Sequence, residues 1–154
     1  MKLVIAADHA AVDMKETVGR WLREHGHHVE DIGPHTKDRV DYPDFAERAC
    51  KLMIQEECDR VVLLCGSGIG MAMAANKVPG CRAVVIHDPY EAEMSRRHNN
   101  ANVACFGSRT QGIEMVIASL KVWLETEFEG GRHTGRVAKM NALDGSGARD
   151  IPGE

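Results

Sequence analysis

RVVLLCGSGIGMAMAANK, residues 60 to 77, is an unbroken apolar run that ends in a cysteine and then in three glycines alternating with small residues. Val61, Val62, Leu63 and Leu64 lack the polar alternation of a sheet with one wet face, so the run suits a central strand of a parallel sheet covered on both sides. Cys65 then stands at the carboxyl end of that strand, the edge at which open α/β sheets bind their ligands. Gly66, Gly68 and Gly70 let the backbone turn without Cβ clashes and point N–H groups inward. The segment from Met71 to Asn76 is expected to open a helix whose positive end favours anions. A thiol in that setting ionises more readily than a free one. The plainer reading is a packing cysteine followed by an ordinary glycine turn. A dinucleotide fingerprint would need a further glycine at Met71, although Asp88 lies about 20 residues on, where a ribose-binding acid would stand. A Walker loop needs a Gly-Lys-Ser/Thr ending that is absent, and a cysteine phosphatase loop wants an arginine where Met71 stands, so phosphate cleavage by the thiol is not expected.

Outward from this stretch, the 154 residues fit one compact domain with a sizeable core, expected to span residues 1 to 143, with a loosely held tail, GSGARDIPGE after Asp144. A formal net charge of −4 with acids and bases interspersed leaves no electrostatic footprint for nucleic acid or a membrane surface, so small molecules are the expected partners. No apolar stretch approaches the roughly 20 residues that span a bilayer, and the amino terminus enters a strand directly at Lys2 to Ile5; the expected location is the cytoplasm. Cys50, Cys58, Cys65, Cys81 and Cys105 are odd in number and form no Cys-x-x-Cys pair, which fits neither a disulfide framework nor a zinc site. Four of them read as structural thiols, and the eight histidines show no metal-ligand spacing.

Apolar runs recur at Leu3 to Ala7, His28 to Ile32, Val61 to Cys65, Ala83 to Ile86 and Val103 to Phe106, each followed by turn residues and a helical pattern. Three helical core stripes are read: Met14, Val18, Trp21 or Leu22, and His25; Phe45, Ala49, Leu52 and Met53; and Ile113, Val116, Ile117, Leu120 and Leu124. Right-handed crossovers then give an α/β fold, a Rossmann-like three-layer αβα sandwich with a five-stranded parallel sheet. Its carboxyl edge collects Asp8 and His9, Cys65 with its glycines, His87 and Asp88, and Gly107 to Arg109. Gly130 and Gly131 break one helix before another begins, and Arg132 and Arg136 share a face if both lie on the new one.

DHA at 8 to 10, DYPDFA at 41 to 46, CGSGIG at 65 to 70, ANKVPGCRA at 75 to 83, SRRHNNANV at 95 to 103, FGSR at 106 to 109 and GGRHTGR at 130 to 136 occur in that order. Together they resemble the type B ribose-5-phosphate isomerases over residues 1 to 143, a family that also holds isomerases of allose 6-phosphate, galactose 6-phosphate and four-carbon sugar phosphates. The resemblance implies a cytoplasmic aldose–ketose isomerase of the pentose phosphate pathway, acting on ribose 5-phosphate and ribulose 5-phosphate without a cofactor or metal. It also implies a homodimer or a dimer of dimers whose clefts are completed by the neighbouring subunit. Allose 6-phosphate is the alternative substrate, and a nucleotide-binding regulatory module is the reading from another class.

Such chemistry needs a base, an anion site and a proton shuttle. A free cysteine has a pKa of about 8.5, which amides and a helix start lower, and the resemblance makes Cys65 the base. The N–H groups of Gly66, Gly68, Ile69 and Gly70, with the Ser67 hydroxyl, are expected to receive the developing oxyanion. His98 is the family's ring-opening acid and base, with Asp8 relaying hydroxyl protons; the duller accounts are that His98 caps a helix with Asn99 and Asn100, and that Asp8 caps the Val12 to His25 helix. Arg109, Arg132 and Arg136 match the family's phosphate ligands, with His9 beside them. Tyr42 and Asn99 match substrate-contacting positions, although Tyr42 ahead of Pro43 equally suits helix-entry packing. His9 also separates the chain from the four-carbon isomerases, which tend to lose it.

Overall fold

A computed structural model describes residues 1 to 145; residues 146 to 154, most of the expected tail, lie outside the described residues. Five strands, β1 (Lys2–Ala7), β2 (His28–Asp31), β3 (Arg60–Cys65), β4 (Ala83–Val85) and β5 (Val103–Gly107), all pair in parallel in the order β2-β1-β3-β5-β4. Six α-helices connect and flank them: α1 (Val12–Glu24), α2 (Tyr42–Ile54), α3 (Ile69–Ala75), α4 (Pro89–Asn99), α5 (Ile113–Glu125) and α6 (Thr134–Leu143), the last preceded by a 3₁₀ turn, Gly131–His133. No helix among the described residues is long and apolar enough to cross a membrane.

The continuous apolar runs are explained by two cores, one on each face of the sheet. Alternate residues Val4, Ala6, Val61, Leu63, Cys65, Val103 and Cys105 face α2 and α3, which contribute Ala46, Ala49, Cys50, Met53, Met71, Ala72 and Ala75. Leu3, Ile5, Val62, Leu64, Ala104 and Phe106 face the other way, against Val18 and Leu22 of α1, Ala92 of α4, and Val116, Leu120 and Trp123 of α5. The three layers expected from sequence are present. Of the alternatives on α1, Leu22 is the core residue, while Trp21 lies half-buried and stacks on His25 with ring centroids 4.1 Å apart.

A lysine occupies the core face of α1 one turn before Val18. The Lys15 side chain is 0% exposed, and its Nζ donates to both carboxylate oxygens of Asp31, at 2.6 Å to Oδ1; that oxygen also accepts the Gly33 N–H at 2.9 Å. The pair ties α1 to the end of β2 and to the loop that leads toward α2. Replacing Lys15 by alanine leaves a carboxylate without its cation and is expected to cost about 3–5 kcal/mol, read as a fall in the thermal or urea midpoint.

Candidate active site

The chain leaves β1 for β2 on one side, while β3 pairs with β1 on the other, so the sheet's switch point falls between the carboxyl ends of β1 and β3. Asp8 directly follows the last residue of β1, and Cys65 is the last residue of β3. They line a cleft of about 380 Å³ together with Tyr42, Gly66, Ser67, Gly70, Arg109 and Thr110. Cys65 is 5% exposed and belongs to the α2/α3 core on one side, with the cleft on the other. The Gly68 N–H donates to its Sγ at 3.1 Å. Ser67 Oγ accepts the Ile69 N–H at 3.3 Å, so its own proton is left to donate elsewhere.

Glycine is required at two places here. Gly68, at φ +78°, is the left-handed residue that turns the strand into α3, and helix α3 begins at Ile69 rather than at the expected Met71. A Cβ on Gly107 at the end of β5 would lie 2.7 Å from the carbonyl carbon of Ser67 and 2.2 Å from Thr110 Oγ1, so bare backbone is what lets the Ser67 turn sit against β5. Gly107→Ala must push that turn off its position. The expected result is a loss of about 1–3 kcal/mol of stability and a fall of kcat by about 10-fold or more, read by thermal melting and a steady-state assay.

Arg109 is carried by the turn after β5, whose backbone continues the β3 pairing: Ser108 N–H donates to Cys65 O at 2.8 Å and Arg109 N–H to Gly66 O at 2.9 Å. The side chain lies beside Gly66. Tyr42, at the first turn of α2, lays its ring against Gly70. Asp8 Oδ1 accepts the Ala10 N–H at 2.9 Å, and the position before α1 is Ala11 with no side-chain cap, so Asp8 is not the cap of that helix. His9 is adjacent but does not line the cleft; its Nδ1 accepts the Val40 N–H at 3.4 Å.

The other four cysteines are buried as expected. A hydrogen bond with Cys81 and then burial push the Cys50 thiol far up, burial pushes Cys58 up to about 11, and burial with the neighbouring Cys65 charge pushes Cys105 up. Asp88, weighed as a ribose ligand, instead caps α4 by accepting the Glu91 N–H at 2.8 Å.

A second group of expected site residues lies elsewhere. Helix α4 starts beyond the carboxyl end of β4 and runs back, which carries His98 and Asn99 to the opposite, amino edge of the sheet. Arg132, in the 3₁₀ turn, and Arg136, on α6, are held there by the segment after α5, where Glu129 N–H donates to Arg97 O at 3.0 Å. His98 stacks on His133 with ring centroids 4.2 Å apart and planes 13° from parallel, and is not a helix cap. Cys65 and Arg109 are therefore not joined within one chain by His98, Asn99, Arg132 or Arg136, none of which lines the Cys65 cleft. Nor do Arg132 and Arg136 lie on one helix.

His98, Glu129 and His133 bring three metal-type ligand atoms within 4.8 Å of one another, a grouping not evident from the spacing of the histidines alone. Guanidinium groups already engage two of those ligands: Arg97 Nε and Nη2 donate to Glu129 Oε2 at 3.0 and 2.8 Å, and Arg132 Nε donates to His133 Nε2 at 3.3 Å. Burial, then the His98 and Arg132 charges, hold the His133 imidazole below its ordinary range. A larger cleft of about 610 Å³, lined by Arg60, Arg82 and Arg96, also lies toward this edge. Its arginines are engaged with backbone: Arg60 donates to Trp123 O and Leu124 O at the end of α5, Arg82 to Asn100 O, and Arg96 to Ala101 O and Thr126 O. Those contacts favour helix ends, whereas the smaller cleft holds the sulfur and an exposed arginine.

Sequence reasoning did not single out Thr110, Glu129 or His133. Thr110 directly follows the FGSR motif, and Glu129 and His133 are four residues apart around the glycine pair, which is the signal that marks them.

An open parallel α/β sheet here carries a thiol, a glycine turn and an arginine in one cleft at its switch point, the place where such sheets bind small ligands. The chain matches the family model described as Ribose/Galactose Isomerase over residues 3–140. It is 39% identical over 143 residues to "Ribose-5-phosphate isomerase B" of Escherichia coli (strain K12), covering 93% of this chain and 96% of that protein. It is also 39% identical over 141 residues to "D-erythrulose-4-phosphate isomerase" of Pectobacterium atrosepticum, covering 91% and 93%. The solved ribose-5-phosphate isomerase B of Clostridium thermocellum superposes with a TM-score of 0.93 at 41% identity, covering 94% of this chain and 98% of that one. The chain belongs to the ribose/galactose isomerase family, and it is an aldose–ketose isomerase.

Proposed function

We propose that the chain interconverts ribose 5-phosphate and ribulose 5-phosphate in pentose phosphate metabolism, with Cys65 carrying the proton between the two carbons. The observation that supports this most is the joint presence of Cys65 Sγ, a backbone N–H 3.1 Å from it, and Arg109 in one cleft. The sulfur anion takes the proton from C2 of the open-chain aldose as the C–H electron pair forms the C1–C2 double bond and the carbonyl pair moves onto O1, giving an enediolate. The turn amides from Gly66 to Gly70 and the Ser67 hydroxyl receive that charge. The same proton then returns from sulfur to C1 while the C2 hydroxyl yields its proton, which passes to O1, so that C2 becomes the ketone and C1 carries the hydroxyl. Asp8, in the cleft, relays the hydroxyl protons, and Arg109 holds the phosphate with Arg132, Arg136 and His9. Tyr42 and Asn99 contact the sugar. His98 opens the furanose by protonating the ring oxygen as its bond to C1 breaks and the C1 hydroxyl gives up its proton to become the aldehyde.

His98, Asn99, Arg132 and Arg136 reach the cleft from a second copy of the chain, so the working unit is a homodimer or a pair of dimers. Their place at the edge opposite Cys65 favours this, as do the exposed Ile69 and Met73 of α3 and Met140 and Leu143 of α6, apolar side chains that suit a subunit contact. Five free thiols suit a cytoplasmic location.

A four-carbon substrate is the second reading, because the erythrulose-4-phosphate relative is as identical as the ribose-5-phosphate one. His9 argues for the pentose. The deciding assay compares kcat/KM on ribose 5-phosphate, allose 6-phosphate and a tetrose phosphate with purified protein and no added metal. Ribose 5-phosphate is expected to lead, and a higher value on either of the others overturns the substrate assignment.

A further inference from the structure

The geometry points to Glu129 as a positioning residue for His98, fixing the imidazole for the ring-opening proton transfer. This rests on the reading of His98 given above. Glu129 Oε2 lies 4.0 Å from His98 Nε2, and Oε1 lies 3.9 Å from Nε2 of His133, the ring on which His98 stacks. The carboxylate is itself fixed from two directions. Arg97 donates twice to Oε2, and the Glu129 backbone N–H donates to Arg97 O at 3.0 Å, so side chain and main chain are clamped to the residue next to His98.

Charge explains why a carboxylate is needed there. The groups that face this cluster are Arg97 and Glu93 from α4, Glu129 from the segment after α5, Arg132 and His133 from the 3₁₀ turn, and Arg136 from α6. Glu93 is taken up by Arg97 Nη1 at 3.0 Å. Glu129 is then the one carboxylate within 4.0 Å of His98 among the described residues, in a neighbourhood of three arginines. Among the described residues of its own chain, Glu129 is the carboxylate that an imidazolium formed as His98 passes protons finds beside it. The Arg97–Glu129 pair is a surface ion pair, each side chain about 40% exposed, and such a pair contributes little to stability. Its two hydrogen bonds and two imidazole contacts are better explained by orientation than by folding.

Glu129→Gln keeps the shape and removes the charge. Ribulose 5-phosphate has its terminal hydroxyl esterified and stays open-chain, so entry of solvent deuterium at its C1 needs Cys65 but no ring opening. The expected result is a fall of about 10–100-fold in ribose 5-phosphate isomerisation, with C1 deuterium exchange followed by NMR held within about two-fold of the parent. His98→Asn is run beside it and is expected to show the same split. A Glu129→Gln protein that isomerises at the parent rate, or that loses exchange and isomerisation in equal proportion, overturns the positioning role. If His98→Asn itself loses exchange as fully as isomerisation, the ring-opening assignment of His98 fails instead, and the inference falls with it.

Discussion

Cys65→Ala is expected to lower kcat for ribose 5-phosphate by about 10³-fold or more, while inorganic phosphate binds with an affinity within about two-fold of the parent. The size of the loss follows from what is removed. A single oxyanion donor is worth about 10²–10³ in kcat, and each amide of the turn from Gly66 to Gly70 shares that load with its neighbours. On the proposed mechanism the sulfur has no such understudy: it alone carries the proton between C1 and C2, so its loss is expected to remove the step rather than slow it. Phosphate binding is spared because Arg109 is placed by backbone bonds from Ser108 and Arg109 to Cys65 O and Gly66 O, which alanine keeps. A coupled isomerase assay and calorimetry with inorganic phosphate read the two quantities. A variant that keeps a tenth or more of the parent rate hands the role to Asp8, the carboxylate that lines the same cleft.

Combining two inactive variants is expected to restore activity. Cys65→Ala and His98→Asn chains carrying different tags, co-expressed and purified through both tags, yield hybrids in which one cleft combines both lesions and the other has neither. If each cleft draws Cys65 from one subunit and His98 from the next, the hybrid works at about half the parent rate. If each cleft is completed within its own chain, every cleft in the hybrid carries one lesion and the hybrid is as inactive as its parents. The two outcomes differ by orders of magnitude, so modest purity suffices. The run of α4 back to the amino edge of the sheet is the structural reason to expect the first.

The strands were legible because β3 and β5 are buried along their whole length and β1 from Leu3 onward, leaving apolar runs with no competing period. Register within α1 was harder, since Lys15 takes a core position by pairing with Asp31, a contact between residues 16 apart that no stripe of apolar residues reports. On α5 the buried Trp123 escaped the stripe that includes Val116 and Leu120. Sheet order was not legible at all: β5 inserts between β3 and β4, and crossover length does not say which neighbour a strand will choose. In the site, Asp8, Cys65, Ser67 and Arg109 could be read because each abuts a strand end, where topology fixes position. His98, Arg132 and Arg136 could be read only through resemblance, and their distance from Cys65 along the fold was invisible in the letters. The clamp around His98 was missed because it joins the end of α4 to a segment some 30 residues later, as Arg97 Nε to Glu129 shows.

The separation of Cys65 from His98 along one fold has a consequence for how this catalyst behaves in a test tube. On the shared-cleft reading a lone chain owns both halves of the machinery and can close neither, so mass action governs the number of working centres. Serial dilution then silences the preparation well before any molecule unfolds.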